Sequence, residues 1–317
     1  MGDAVINNVE GRQDFDVKWQ WSEQPVIPGI TAVLRVKNES RTIPYCLPSI
    51  LKAVDEVVLV DNDSTDGTVE LAVETARRLD RAGQLIVKHY PFEIARCGPE
   101  HLATPERSLH SLAYFYNWSF SHVRTRYSLK WDGDMVLTDG GVRTLRQLSW
   151  QLEYADAALS VLTHPLYVID DRTALFDPRS PYVEPRLLPN NSVYAYAKGV
   201  DWEIPTIPAS TRVMRLQDGL ACEIKWLDAD EFSNWSSTDF ADERRYPRKS
   251  REWAVFEAHR NGLHPDELTR VEAPEGTHVI DFVRQAWLPQ WARGPRPVRG
   301  LTGSAVVIST EPLGTFR

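Results

Sequence analysis

ITAVLRVKNESRTIPYCLPSILKAVDEVVLVDNDSTDGT, residues 30–68, alternates two apolar runs with two polar knots. The run ITAVLRV (30–36) is too uniformly apolar for a half-exposed strand and reads as a strand covered on both faces. In RTIPYCLPSILKAV (41–54), Leu47, Ile50, Leu51 and Val54 recur at helical spacing, with Pro44 tolerable near the first turn. EVVLV (56–60) is a second buried strand, STDGT a turn, and Val69, Ala72, Val73, Ala76 and Leu79 lie on one helical face. QLIVKHY (84–90) adds a third strand. Strand, helix, strand, helix, strand is the signature of a mostly parallel sheet flanked by helices, the α/β class.

Beyond this core the spacing predicts a helix over 105–122, with Leu109, Leu112, Ala113, Tyr116 and Phe120 inward. The strand YSLKW (127–131) then runs into Asp132-Gly133-Asp134. A helix at 140–153 and a strand ALSVL (158–162) follow, and a proline-dotted region from 165 to 210 shows no clear period. ACEIKWL (221–227) reads as a strand, RKSREWAVFEAHRNG (248–262) as a helix closed by Gly262, and THVIDFV (277–283) as a last strand. Ahead of the sheet, VKWQW (17–21) alternates like an edge strand or an arm.

The chain has 317 residues, 42% of them hydrophobic, and a formal charge of −8. That balance opposes a surface built to neutralise nucleic-acid phosphates. Cys46, Cys97 and Cys222 are odd in number and widely spaced, which fits a reducing compartment better than a disulfide framework. The sequence shows neither a signal-peptide pattern nor about 18 successive apolar residues, so the expectation is a soluble, cytoplasmic protein without a transmembrane segment.

The chain contains four Asp-x-Asp tripeptides, beginning at Asp14, Asp61, Asp132 and Asp228, so the tripeptide alone means little. Position selects among them. Asp132 and Asp134 follow a strand, and Gly133 between them permits a tight turn. Carboxylates this close repel one another unless a cation intervenes, and such oxygen ligands suit Mg2+ or Mn2+. Asp61 and Asp63 end the second strand, and Lys37, Asn38 and Glu39 end the first. In an open α/β sheet those ends converge on one ligand-binding edge.

As a series, VKNE, VVLVDNDSTDGT, the Tyr116-Asn117 pair and LKWDGDMVL resemble the successive landmarks of glycosyltransferase family 2, which has the GT-A fold. The resemblance covers residues 30–140 in order. It implies a sheet that binds a nucleoside-diphosphate sugar, a UDP- or GDP-sugar, with Lys37, Asn38, Glu39, Asn117, Lys130 and Gly133 in the donor site. It places Asp61 and Asp63 by base and ribose, Asp132 by ribose or sugar, and Asp134 on an Mn2+ or Mg2+ ion bridging the diphosphate. Residues 1–29 then form a lead-in, 30–140 the nucleotide-sugar-binding half, 141–285 the acceptor-binding half and 286–317 a Pro- and Arg-rich C-terminal extension.

The family's inverting chemistry requires a carboxylate to take the proton of an acceptor hydroxyl on a carbohydrate, glycan or other molecule. SREWAVFEAHRNG resembles the family helix that carries this base, with Glu252 at the acidic position and Arg251 where a second acid is usual. LDADEF (227–232) offers Asp228, Asp230 and Glu231 instead, of which Asp230 and Glu231 are the candidates. His278, opening the predicted last strand, is a candidate third metal ligand with Asp132 and Asp134. Trp202, Trp226, Trp235, Trp253, Trp287 and Trp291 lie in the second half of the chain, where aromatic faces could stack on an acceptor sugar, although most would be core.

Two rivals remain. VLVDNDST also fits the strand motif of haloacid-dehalogenase phosphohydrolases, with Asp61 as nucleophile and Asp63 as acid/base, and Asp134 with Asp139 imitates their metal motif. That reading leaves VKNE, STDGT and the second half unexplained. The other rival is a catalytically inactive GT-A domain used for binding.

Overall fold

In the computed structural model, which describes residues 4–152, 157–228, 246–293 and the short strand 307–308, the predicted alternation is present. Strand β1 (Ile27–Val36), helix α1 (Ile43–Ala53), strand β2 (Glu56–Asp61), helix α2 (Thr68–Arg78) and strand β3 (Leu85–His89) follow in that order. Helix α3 (Leu112–Phe120) leads into β4 (Thr125–Asp132), and β5 (Met135–Leu137) precedes helix α4 (Asp139–Gln151). β1 pairs in parallel with β2 and β4, and β2 with β3. Their carboxyl ends therefore share one edge, as the three polar clusters require.

Alternation along β1 feeds two cores. Ala32, Leu34 and Val36 pack with Ile43, Leu47 and Ile50 of α1, Ala72 and Ala76 of α2, and Leu145 and Leu148 of α4. Val33, on the other face, joins Val58, Tyr114, Phe115 and Trp118. Pro44 sits in the first turn of α1, where its missing N–H costs nothing.

In the second half the strand at 221–227 and the helix at 248–262 are present as predicted, but other elements differ. The region without a period holds two further strands of the main sheet, β7 (Thr173–Phe176) and β8 (Tyr182–Pro189), as well as a small ribbon, Tyr196–Lys198 against Glu203–Pro205. β6 (Ala157–Val168) is longer than ALSVL and buried throughout. β8 pairs antiparallel with both β4 and β6, which carries the sheet past the parallel part. β9 (Arg212–Leu216) and β10 (Ala221–Trp226) both run parallel to β6. Helix α5 (Pro247–Arg260) ends as predicted, with Gly262 at φ +69°.

Three corrections follow from local chemistry. The helix predicted over 105–122 starts only at Leu112, because Ser111 caps it by accepting from the Tyr114 N–H. THVIDFV is not a strand: His278 caps the short helix Val279–Phe282, accepting from the Ile280 N–H, and the turns continue to Arg293. Val279, Ile280 and Val283 are buried at i, i+1 and i+4, a helical spacing that a seven-residue window hides. The late strand is instead β11 (Thr269–Glu272), antiparallel to β7. In VKWQW only Val17–Lys18 forms a strand, paired with Val5–Ile6, and Gln20 opens a short helix. No helix among the described residues is long and apolar enough to cross a membrane.

Candidate active site

The strands that meet at the carboxyl edge carry charges at every second position. Lys130 and Asp132 lie on β4, Glu184 and Arg186 on β8, Glu223 and Lys225 on β10, and Arg35 stands opposite Asp132 in the β1–β4 register. The alternation that turns Leu129 and Trp131 into one core turns Lys130 and Asp132 to the opposite face.

Asp132 is gripped from two sides. Arg35 Nη2 donates to its Oδ1 at 2.9 Å and Arg186 Nη1 to its Oδ2 at 2.8 Å. Burial alone would raise this carboxyl; Lys130, Arg186 and Arg35 instead hold it far below the usual carboxylate range. Arg186, 1% exposed, also lies 3.0 Å from Glu184, whose other oxygen accepts from Lys130 Nζ at 2.5 Å. The Arg35 guanidinium stacks 3.3 Å from the centre of the Tyr116 ring.

Asp134 meets a different cation. Lys225 Nζ donates to its Oδ2 at 2.6 Å and lies 3.0 Å from Glu223 Oε1. The Ile224 N–H donates to the Asp134 carbonyl at 2.8 Å, tying β10 to the turn. Burial, with Glu223 beside it, pushes the Asp134 carboxyl up, while Lys225 and Arg248 outweigh burial at Glu223 and hold that group low. Arg248 bridges Glu223 and Glu252, the latter at 2.7 Å.

The remaining predicted residues divide between open and committed groups. Lys37 is exposed at the end of β1. Asn38, at φ 57°, accepts from the Thr65 N–H, and the Glu39 carboxylate accepts from the Thr42 hydroxyl, so both brace the loop between β1 and α1. Gly133 is closely packed: a Cβ there would stand 3.1 Å from Glu39 Cγ and 3.2 Å from Val36 Cγ1, so those side chains would have to give way. Asp61 is buried, with both oxygens accepting from the Ser64 N–H, whereas Asp63 is exposed at φ 61°. Asn117 uses both ends of its amide on the Tyr196 backbone, at 2.8 Å each.

Glu252 is 1% exposed, and Lys249 and Arg248 outweigh its burial to lower its carboxyl. Asp230, Glu231 and Trp235 lie outside the described residues. His278 presents Nδ1 to its own helix and has Nε2 3.5 Å from Asp171, beside the Tyr45 ring. Of the tryptophans, Trp287 and Trp291 pack on Phe176, Trp253 on Phe256, and Trp226 lies beneath Arg41.

Sequence reasoning missed Arg35, Arg186, Glu184, Glu223 and Arg248. A usable signal was present. A charge at alternate positions of an otherwise apolar strand is costly to bury unpaired, so Glu184/Arg186 and Glu223/Lys225 announce partners.

A divalent ion fits this donor set at one point. Both oxygens of Asp132 are taken by guanidinium groups, and Asp134 Oδ2 by an ammonium. Asp134 Oδ1 is buried and has no hydrogen-bond partner among the described residues. Among those residues no three His, Cys, Asp or Glu side chains are grouped to hold an ion. One carboxylate oxygen completed by substrate phosphates is nevertheless a usual arrangement for Mg2+.

Residues 2–139 match the model of a family described as β-1,4-N-acetylgalactosaminyltransferase (CgtA). This is the segment that carries the motif series. No curated protein matches the chain. Among solved structures it is similar to S. aureus TarS 1–349 in complex with UDP, at 15% identity over 65% of this chain and 62% of that one, TM-score 0.39. A mannosyltransferase, PcManGT from Pyrobaculum calidifontis with GDP-Man and Mn2+, matches at 20% identity over 48% and 41%, TM-score 0.31. Glucosyl-3-phosphoglycerate synthase from Mycobacterium tuberculosis, with Mg2+ and UDP, matches at 19% identity over 44% of each chain, TM-score 0.27. The chain spans less than two thirds of each of these structures. The phosphohydrolase reading is not favoured, since it would make a nucleophile of Asp61, whose two oxygens shape the turn that follows it.

Proposed function

We propose that this chain, a glycosyltransferase of the GT-A type that uses a nucleotide sugar, moves the sugar from a UDP- or GDP-sugar to a hydroxyl of a carbohydrate, glycan or other acceptor, with inversion. The observation that carries the reading is the asymmetry of the Asp-Gly-Asp turn: Asp132 is locked by two arginines, while Asp134 keeps one buried oxygen that has no hydrogen-bond partner among the described residues. Asp132 is thereby a rigid, ionised acceptor for ribose or sugar hydroxyls. Asp134 Oδ1 is the ligand for Mn2+ or Mg2+. When bound beside a diphosphate, the ion acts as a Lewis acid toward the leaving oxygen.

The chain's own groups do the rest. Lys37 and Asp63, exposed at the mouth, and Asp61 behind them line the side for base and ribose. In the transfer the bond from the anomeric carbon to the diphosphate oxygen breaks, the acceptor oxygen bonds to that carbon, and a carboxylate takes the hydroxyl proton. Glu252 suits that role poorly, because two cations lower its basicity and it is sealed from solvent. Its pairing fits an anchor for Arg248, which leaves Asp230 and Glu231 as the candidate bases. The matched family's description makes an N-acetylhexosamine donor the first to try. Three free cysteines among the described residues support a reducing, cytoplasmic setting.

The test is a panel of UDP- and GDP-sugars with Mn2+ and mixed acceptor glycosides, read as release of the nucleoside diphosphate and gain of sugar mass on the acceptor. Nucleotide binding without release or transfer from any donor would favour the inactive binding domain. Hydrolysis of simple phosphate esters, lost in Asp61→Asn, would reinstate the phosphohydrolase.

A further inference from the structure

We propose that Lys225 is a resident counter-cation that makes capture of a divalent ion at Asp134 conditional on the donor's diphosphate. The inference rests on the metal-assisted reading above and adds an order of assembly to it. Its ground is the placement of one ammonium. Lys225 is 6% exposed, fixed on β10, and its Nζ contacts both Asp134 Oδ2 and Glu223 Oε1. Around that point, among the described residues, Asp134, Glu223 and Glu252 are matched by Lys225, Arg248 and Lys249.

Among the described residues these carboxylates thus already have cationic partners without a metal. An ion settling on Asp134 Oδ1 would share its carboxylate with a buried ammonium, and charges so placed are weakly screened. The diphosphate changes the balance, because its oxygens give the ion further ligands and offer Lys225 an anionic partner beyond Asp134 and Glu223. The backbone bond from Ile224 to the Asp134 carbonyl keeps the ammonium from drifting away with β10. A lysine serving only to stabilise the fold would, when replaced, leave the affinity for the ion without nucleotide unchanged.

The experiment measures Mn2+ binding by the loss of the free-ion electron paramagnetic resonance signal, with no nucleotide and with UDP or GDP, while calorimetry follows nucleotide binding separately. Wild type should bind Mn2+ at least tenfold more tightly with nucleotide than without. Lys225→Met should bind Mn2+ alone at least tenfold more tightly than wild type, and adding Asp134→Asn should erase that gain. If Lys225→Met does not fold, Glu223→Gln/Lys225→Met removes the pair together and carries the same expectation. Nucleotide bound with no effect on Mn2+ affinity, or a lysine-free variant no better at binding Mn2+ than wild type, overturns the proposal. Failure of both nucleotides to bind at all would instead strike the donor reading, and the Mn2+-only comparison would still decide what Lys225 does.

Discussion

Arg186 Nη1 stands 2.8 Å from Asp132 Oδ2, so a residue from the proline-dotted middle of the chain locks the first carboxylate of the Asp-Gly-Asp turn. The pair joins β8 to β4 on the charged face of the sheet, and Arg186 reaches Glu184 as well. Removing one partner of such a network strands the other's charge in a poorly hydrated place. Arg186→Met should therefore cost about 3 kcal/mol in urea unfolding. Arg186→Lys should recover only part of this, because an ammonium cannot reproduce the planar fork. A loss below about 0.5 kcal/mol, the size of a surface pair, would show that the lock is not a stabilising element.

Asn117 gives a second test, because its amide is wholly committed to the Tyr196 backbone. Asn117→Ala leaves a buried N–H and C=O without partners and should lower stability by about 2 kcal/mol. If its role is only to brace the ribbon 196–205, Asn117→Ala should leave the affinity of the folded protein for UDP or GDP within about threefold, an order-of-magnitude allowance of under 1 kcal/mol. A loss of nucleotide affinity with stability unchanged would restore it to the donor site.

His122 supplies a pH dependence remote from the Asp-Gly-Asp turn. Burial, and then Lys88, pull its imidazole down to about 4, its Nε2 has no partner among the described residues, and its ring meets Trp118 edge-on at 4.5 Å. The folded protein thus holds it neutral while the unfolded chain takes up a proton near pH 6.5. The associated stability is complete above about pH 6.5 and falls as pH drops toward 4, by at most about 1.4 kcal/mol per unit. His122→Gln should flatten the slope of urea midpoint against pH in that window. Parallel profiles for variant and wild type would contradict the assignment.

How much of this was legible in the sequence depended on which force wrote the pattern. Covered strands such as Val57 to Val60 announce themselves by apolar runs, and helix α1 by its spacing, so the parallel half and its carboxyl edge could be read directly. Tyr182–Pro189 could not, since Pro185 and two charges break the run that burial would otherwise produce, and its pairing on both sides is a tertiary fact. His278 was misplaced because THVIDFV suits a strand by composition while its buried residues follow a helical period. The charges of the site announce by their alternation that they have partners, but which partner each one meets shows only once Asp132 or Asp134 is placed beside it.

The base assignment divides cleanly by mutation. Asp230→Asn or Glu231→Gln should reduce transfer by about 100-fold or more with nucleotide binding intact. Glu252→Gln should instead lower stability by about 1–3 kcal/mol, since it weakens the tie to Arg248, and leave turnover per folded molecule within about threefold. The opposite pattern would return the base to helix α5.

The central claim is that Asp134 joins the protein to the donor's diphosphate through a divalent ion, and thermal unfolding with UDP or GDP tests it most directly. Wild type with nucleotide at 100 times its dissociation constant should gain about 2.7 kcal/mol in Mn2+ and lose that gain in EDTA. Asp134→Asn should show no gain under either condition. Equal stabilisation of the wild type with and without the ion, or full stabilisation of Asp134→Asn, would contradict the account.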